Sequence, residues 1–509
     1  MVICDNENKD YIVCPSAMPS ETTYRTYTHR WYVLIVTCLV ALSNGAIWIS
    51  FSSIGSNVNM FYCDKSYFPN GTGGRSDDKN PVLIGCNVSF WANQIFQIVG
   101  CIGGIFGIFV TDKYGILVST YCASGFNFLG ILLRTLSSVP TMGDGSRIWL
   151  LYLGQILAAS SQPFFLVLSP KVAEYWFADH QRALANALSF AANPMGVVLG
   201  TVAPELIIHL STGRNTTDLL WLNALLLALA TVVMIMTFGI RSKKPPTPPS
   251  ASSATDHSPP LLEGFWKLFT IPVFYILMIS SGMCFALQWS LITSIEDMMH
   301  ALGYKFIGFA SALSAIAGFS SSILAGFYVD KTKRFSETIK GCTIGIAVVA
   351  CIMNVFVRHH SNGTFDSILL ACLLMMLGFF AIPAFPISLE LGLETTFPIA
   401  EASSSGVLII AAQLLLFLMS AIMNATPRLD WFYTSKKSEG HELDSDLFDA
   451  NYQLSIDVWT FIAVVACIFT CSSLWPRYKR LEYEQSTVAQ ARETNSTTVA
   501  ETPKELSLS

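Results

Sequence analysis

From Trp31 to Cys63 the chain carries no Lys, Arg, Asp, Glu or His, and charge-free runs recur at 81–111, 148–170, 183–204, 268–295, 306–329 and 402–427. Roughly 20 such residues make a helix long enough to cross the hydrocarbon core of a bilayer. In lipid a segment must satisfy its own backbone groups, and a helix of that length does so alone. Composition agrees, with 13% of the 509 residues charged and 52% hydrophobic, against about 25% charged in a soluble domain. The sequence therefore predicts an all-α membrane protein with twelve transmembrane helices, near 31–56, 88–110, 116–138, 148–170, 183–209, 218–240, 269–294, 304–328, 338–357, 366–389, 402–424 and 457–475. The first 28 residues hold charges and cysteines but no apolar stretch with a small-residue cleavage site, so the first span is expected to act as the insertion signal.

Basic residues set the orientation. Arg25 and Arg30, Lys113, Arg182, the Arg241–Lys244 group, the Lys331–Arg334 group and the Arg477–Arg480 group all fall on one side of the predicted spans. The positive-inside rule makes that side cytoplasmic and puts both termini there. The sequons at Asn70, Asn87, Asn215, Asn362 and Asn424 fall on the other side, and only Asn495 does not; Asn70, Asn215 and Asn362 are the candidate glycosylation sites. Of the 13 cysteines, only Cys63 and Cys86 fall in an outer loop. That location is oxidising, so the two are the candidate disulfide. No Cys or His spacing suggests a metal site.

The segment RSKKPPTPPSASSATDHSPP, 241–260, is rich in Pro and Ser and divides the spans six and six. The expected plan is a cytoplasmic segment at 1–30, a six-helix bundle at 31–240, a flexible linker at 241–262, a second bundle at 263–476 and a disordered tail at 477–509. The halves echo each other. GIFVTDKYG follows the second span and GFYVDKTKR the eighth, each placing a Gly and an Asp-Lys pair, Asp112-Lys113 and Asp330-Lys331, where a helix leaves the membrane. A six-plus-six repeat is the plan of a transporter whose bundles rock about a central site.

These loops resemble the signature of the major facilitator superfamily, with one residue of looser spacing in the first half and without the basic run that usually follows its last Gly. The resemblance implies that Asp112, Lys113, Asp330 and Lys331 form a conformational gate between the halves. SNGAIWI at 43–49, LGQILAASSQPFFL at 153–166, EYWFADHQRALANAL with NPMGV, and ISLELGLETTFPIAEASSSGVL with AAQ at 411–413 are similar to the feline leukaemia virus subgroup C receptor-related branch. That branch includes choline and ethanolamine transporters and proteins first described as haem exporters; the WFxxHQRA form here looks most like its less characterised members.

With carboxylates and basic groups nearly absent from the spans, a site for an anion or an Asp/Glu-coupled proton symport is disfavoured. What the spans hold is amide and aromatic: Asn44 and Trp48 on the first, Gln155 and Gln162 on the fourth, Gln288 and Trp289 on the seventh, and Gln413 on the eleventh. Trp31, Trp91, Trp149, Trp176, Trp221, Trp266, Trp459 and Trp475 lie where an interfacial aromatic belt is expected, whereas Trp48 and Trp289 lie deep in comparable spans of the two halves. From the residues alone these two indoles read either as packing groups or as a cation–π site for an ammonium. The branch resemblance implies the second, carrying over Trp48 directly, Trp289 as a changed aromatic, and Gln162 and Gln413 as the matching glutamines. Asn44 joins them as a candidate because it shares a helix face with Trp48. Glu390, Glu394 and Glu401 mark a cytoplasmic loop, either pairing with basic groups or solvated, and Pro383, Pro386 and Pro398 are expected to break the helix beside them.

The expected function is alternating-access transport of a small organic solute, foremost a facilitative carrier of a choline- or ethanolamine-like amine. Haem and a pyridoxine-like vitamin are alternatives, and a non-transporting receptor or scaffold is the alternative of another class. No nucleophile with its base is present in any span, so no enzyme is expected. No cofactor, metal or nucleic acid is expected, and the partners are the solute and the bilayer around a monomer. The plasma membrane is the expected address, with an endolysosomal one left open by YKRL at 478–481, which resembles a tyrosine sorting signal.

Overall fold

The computed structural model describes residues 3–4, 12–13, 26–63, 88–140, 144–178, 181–210, 217–242, 244–247, 249, 261–301, 307–359, 363–399, 401–426, 452–483 and 485–486. Among the described residues, twelve helices are long and apolar enough to cross a membrane: His29–Ile54, Val88–Tyr114, Ile116–Ser137, Ser146–Trp176, Leu184–Ile208 and Asp218–Thr237 in the first half, and Pro272–Ser294, Gly308–Thr332, Phe335–His359, Thr364–Thr396, Ser403–Ala425 and Gln453–Ser473 in the second. They are numbered one to twelve here. The charge-free runs thus correspond to helices, as a solvent without hydrogen-bonding capacity requires. Beyond the helices, the described residues include a two-residue antiparallel pair, Ile3–Cys4 with Ile12–Val13.

The repeat is visible in the packing. Span one packs on five, two on four, three on four and on six; in the second half seven packs on eleven, eight on ten, nine on ten and on twelve. Each pairing recurs six spans later. The bundles meet through two further pairings, two with eleven and five with eight, which exchange under the same offset. Small residues let these helices approach. A Cβ at Gly196 would run into the backbone of Leu42 on span one, and one at Gly378 into Ser314 on span eight.

Several expectations change. Span ten runs unbroken through Pro383 and Pro386 to Thr396, because packed neighbours compensate for the two missing N–H groups. The expected linker ends in a short helix, Leu261–Leu268. The first residues of the expected disordered tail are docked: the Tyr478 ring lies 5.8 Å from that of Phe335, Leu481 N donates to Glu394 Oε2 at 3.1 Å, and Arg480 is buried. Apolar and charged partners at the ends of the spans hold this segment, and composition alone does not reveal them. Trp176 and Trp459 are buried among protein side chains instead of facing outward. The Trp459 indole donates to Leu287 O at 3.0 Å, backing span seven.

Candidate functional site

A cavity lies between the bundles, lined by spans one, four and five from one side and seven and ten from the other. Trp48, Gln162, Phe190, Asn193, Phe285, Gln288, Trp289 and Phe385 form most of its wall, completed by Leu166, Pro194, Ala381, Ile382 and Pro386. Its volume is about 40 Å³; since one water needs roughly 10–15 Å³ in this measure, that is room for about three water-sized groups. No charged side chain among the described residues lines it.

The wall is a chain of aromatic rings. Trp48 and Trp289 meet edge to face with centroids 5.2 Å apart, Trp289 lies 6.1 Å from Phe285, Phe285 4.7 Å from Phe385, and Phe385 5.9 Å from Phe190. Such rings offer negative faces to a cation and apolar surface to a methyl group. Three cavity residues each hold one buried polar atom with no hydrogen-bond partner among the described residues: Trp48 Nε1, Gln162 Oε1 and Gln288 Oε1. The other end of Gln288 donates to Ser314 Oγ at 3.0 Å, which fixes how its amide points. One donor and two acceptors are thereby left beside an aromatic wall. Buried groups of this kind cost stability unless a ligand or water pairs them.

The structure brings Trp48, Gln162 and Trp289 together at this cavity, and Gln413 is not in its lining. A Cβ built on Gly100 of span two would lie 3.3 Å from Gln413 Cγ and 3.5 Å from Gln162 Oε1, so the two glutamines pack side by side against that glycine. Asn44 is elsewhere. Its amide donates to Asn127 Oδ1 at 2.9 Å and Ala158 O at 2.8 Å, tying spans one, three and four within the first bundle. Sharing a face with Trp48 spans about 100° of helix surface, enough for one side chain to reach the cavity and the other a neighbour. Phe190, Phe285 and Phe385 were missed because nothing local separates them from the other phenylalanines among 34.

At the helix ends that carry the mirrored loops, the two acids have equivalent tasks. Asp112 Oδ2 accepts from Ser403 Oγ at 3.0 Å, and Asp330 Oδ2 accepts from Leu184 N at 2.9 Å. Ser403 and Leu184 are each the third residue of a helix that begins in the opposite bundle, Glu401–Ala425 and Arg182–Leu210. Each acid therefore reaches across to a helix N-terminus, where negative charge is favoured. The cation that pairs Asp112 is Lys171 of span four, at 2.8 Å, and not Lys113. Lys113 lies over the rings of Phe109 and Tyr114, and Lys331 is exposed. Lys171 follows a proline at the end of span four, and sequence spacing does not link it to Asp112. Glu390 and Glu394 are buried. Cys63 is disulfide-bonded; Cys86, Asn70, Asn215 and Asn362 lie outside the described residues.

Two six-helix bundles related by a six-span offset, enclosing a cavity at their interface and bridged at matching helix ends, define a transporter of the rocking-bundle class. The chain belongs to the major facilitator superfamily, whose profile matches residues 33–424. It is 29% identical over 398 residues to solute carrier family 49 member A3 of Xenopus tropicalis, covering 77% of this chain and 76% of that one. The Danio rerio member A3 is 27% identical over 487 residues, 94% of each chain. The choline/ethanolamine transporter FLVCR1 of Mus musculus is 28% identical over 431 residues, 79% of this chain and 70% of that one. These relatives accord with the feline leukaemia virus subgroup C receptor-related branch. Among solved structures, the proton:xylose symporter XylE bound to 6-bromo-6-deoxy-D-glucose superposes with a TM-score of 0.67 at 15% identity, covering 90% of this chain and 99% of that one. That likeness concerns the fold.

Proposed function

We propose that this transporter carries a compact organic amine of the choline or ethanolamine type, down its gradient, with Trp48 and Trp289 as the cation-binding pair. The observation that carries the reading is the pair of indoles in edge contact in a cavity whose described lining holds no charge. An ammonium is the charged head group such a wall can hold, since an anion would need Arg or Lys and a metal would need ligating groups. The amide oxygens of Gln162 and Gln288 supply acceptors for an ammonium N–H or a hydroxyl, and the Trp48 indole N–H supplies a donor. Gln413 supports Gln162 from behind. The choline/ethanolamine transporters among the relatives point to the same solutes.

The test is uptake of labelled ethanolamine and choline by cells expressing the chain, with haem and pyridoxine as comparison solutes. Amine uptake is expected, and Trp48→Ala is expected to weaken apparent affinity by about 0.5–2 kcal/mol while Trp48→Phe loses less. Equal losses in both variants at normal surface level would exclude the ring face as the binding element. Uptake of haem or pyridoxine alone would replace the amine. No uptake of any panel member, with the protein at the cell surface, would favour a receptor or scaffold. The plasma membrane is the proposed address, to be checked by surface biotinylation.

A further inference from the structure

Arg134 of span three is fully buried in the first bundle, and no described carboxylate pairs with it. A guanidinium is costly to hold there unless neutral acceptors surround it. Its partners are specific. Nη1 donates to Ile47 O at 2.7 Å and to Gln155 Oε1 at 3.4 Å, Nη2 donates to Ser50 Oγ at 2.6 Å, and the group lies 3.7 Å from the centroid of the Phe51 ring. Three of these four contacts are with residues 47–51 of span one.

That stretch is where span one stops being a regular helix. The α-helix ends at Ile49, a 3-10 turn covers Ser52–Ile54, and a second helix runs Gly55–Cys63. Ending a helix strands carbonyl groups, and in a dehydrated bundle they need a donor. Arg134 donates to the Ile47 carbonyl together with the Ser50 hydroxyl, which reaches the same oxygen at 3.1 Å, and places its positive charge at the negative end of the helix. Span three also grips the chain beyond the interruption. Tyr62 and Ser137 hydroxyls lie 2.9 Å apart, and Ser137 is one turn from Arg134. Trp48 lies inside the capped turn. Just past it, Ser52 Oγ donates to Thr293 O of span seven at 3.4 Å, an inter-bundle contact at the opposite end of span one from the cytoplasmic bridges.

We propose that Arg134 is a positioning residue: it holds the interruption in span one, and through it both the setting of Trp48 in the cavity and the closure of the outer part of span one onto span seven. The proposal does not depend on which solute is carried, and neither does its test.

A cysteine at Ser52 reports closure through its reaction, in intact cells, with a membrane-impermeant thiol reagent, scored against the same chain without that cysteine. Arg134→Gln is expected to raise the labelling rate about fivefold or more, as loss of a charge-assisted contact made only in the closed form would. Arg134→Lys, which keeps the charge but not the fork, should lie between. A cysteine at Thr426, at the outer end of span eleven, should label at an unchanged rate in all three backgrounds. Equal rates at Ser52 in Arg134 and Arg134→Gln chains at matched surface abundance would overturn the proposal, and so would a parallel rise at Thr426, which marks general loosening. If Arg134→Gln does not reach the surface, Ser50→Ala is read instead. It removes the 2.6 Å contact, and with it the Ser50 hydroxyl's bond to Ile47 O at 3.1 Å, and leaves the guanidinium in place, and an unchanged rate there overturns the proposal equally.

Discussion

Trp48 and Gly100 show how single residues set the chemistry of the cavity. Trp48, a residue of the cavity wall, is 3% exposed and has a buried indole N–H with no partner among the described residues, and Gly100 leaves the space that Gln413 and Gln162 both approach. Gly100→Ala would crowd Gln413 at 3.3 Å, so that side chain has to give by a few tenths of an ångström. Because Gln413 is a side chain and not backbone, the fold should tolerate the change, at a cost of about 1 kcal/mol or less. The expected outcome is normal surface expression with a raised KM for the carried solute and little change in maximal rate. An unchanged KM would remove Gln413 and Gln162 from the binding set.

At the scale of elements, the helix-end bridges make two predictions. Asp112 serves both its own bundle, through Lys171, and the opposite one, through Ser403. Asp112→Asn therefore mixes two effects, whereas Ser403→Ala removes the inter-bundle bond and leaves the ion pair whole. For a charge-assisted hydrogen bond that bias is on the order of 1.5–3 kcal/mol toward cytoplasmic opening. Cysteine accessibility at a cavity position should rise from the cytoplasmic side in Ser403→Ala, while Asp112→Asn should also lower the melting temperature because it leaves Lys171 buried without its counter-ion. Unchanged accessibility in Ser403→Ala would reduce the bridge to a packing contact. The second prediction concerns the turns after these acids. Three residues past Asp112 stands Gly115 with φ of 83°, and three past Asp330 stands Lys333 with φ of 56°. Both halves place a residue of positive φ at this position, glycine in one and lysine in the other. Gly115→Ala should destabilise by about 1–3 kcal/mol, since its φ and ψ of −173° suit glycine alone. Lys333→Gly should be neutral or stabilising by about 1 kcal/mol. Thermal melts of the two purified variants check both signs.

For the whole molecule, the prediction concerns the energetics of uptake. With no carboxylate in the described lining, a proton has no site there at which to couple its movement to that of the solute. Uptake of a cationic amine is then expected to follow its concentration gradient and the membrane potential, the latter worth about 2.3 kcal/mol per 100 mV for one charge. A proton ionophore applied while the potential is clamped should leave initial uptake unchanged. A collapse of uptake under that clamp would place a titrating group in the cycle outside the cavity, with the buried Glu390 and Glu394 on the cytoplasmic side as the groups to mutate first.

The number, order and length of the spans were legible in the sequence because lipid imposes a one-dimensional rule, that each crossing must be long and free of charge. The repeat was legible too, because both copies of the Gly and Asp-Lys loop survive at matching positions. Trp48 and Trp289 stood out for the same reason, as large polar-tipped aromatics far from the interfaces where such residues collect. What a side chain meets across a helix interface leaves no periodic trace in the chain, and there only the tertiary structure decided. It turned Asn44 into a link between spans one, three and four, paired Asp112 with Lys171 and Ser403 instead of Lys113, gathered Phe190, Phe285 and Phe385 around the cavity, and laid Tyr478 and Tyr483 against Phe335 and Phe397 at the ends of the spans. Arg134 reads in the sequence as a basic residue at the end of a span. It becomes the cap of an interrupted helix only because span three packs beside residue 47 of span one, eighty-seven positions away.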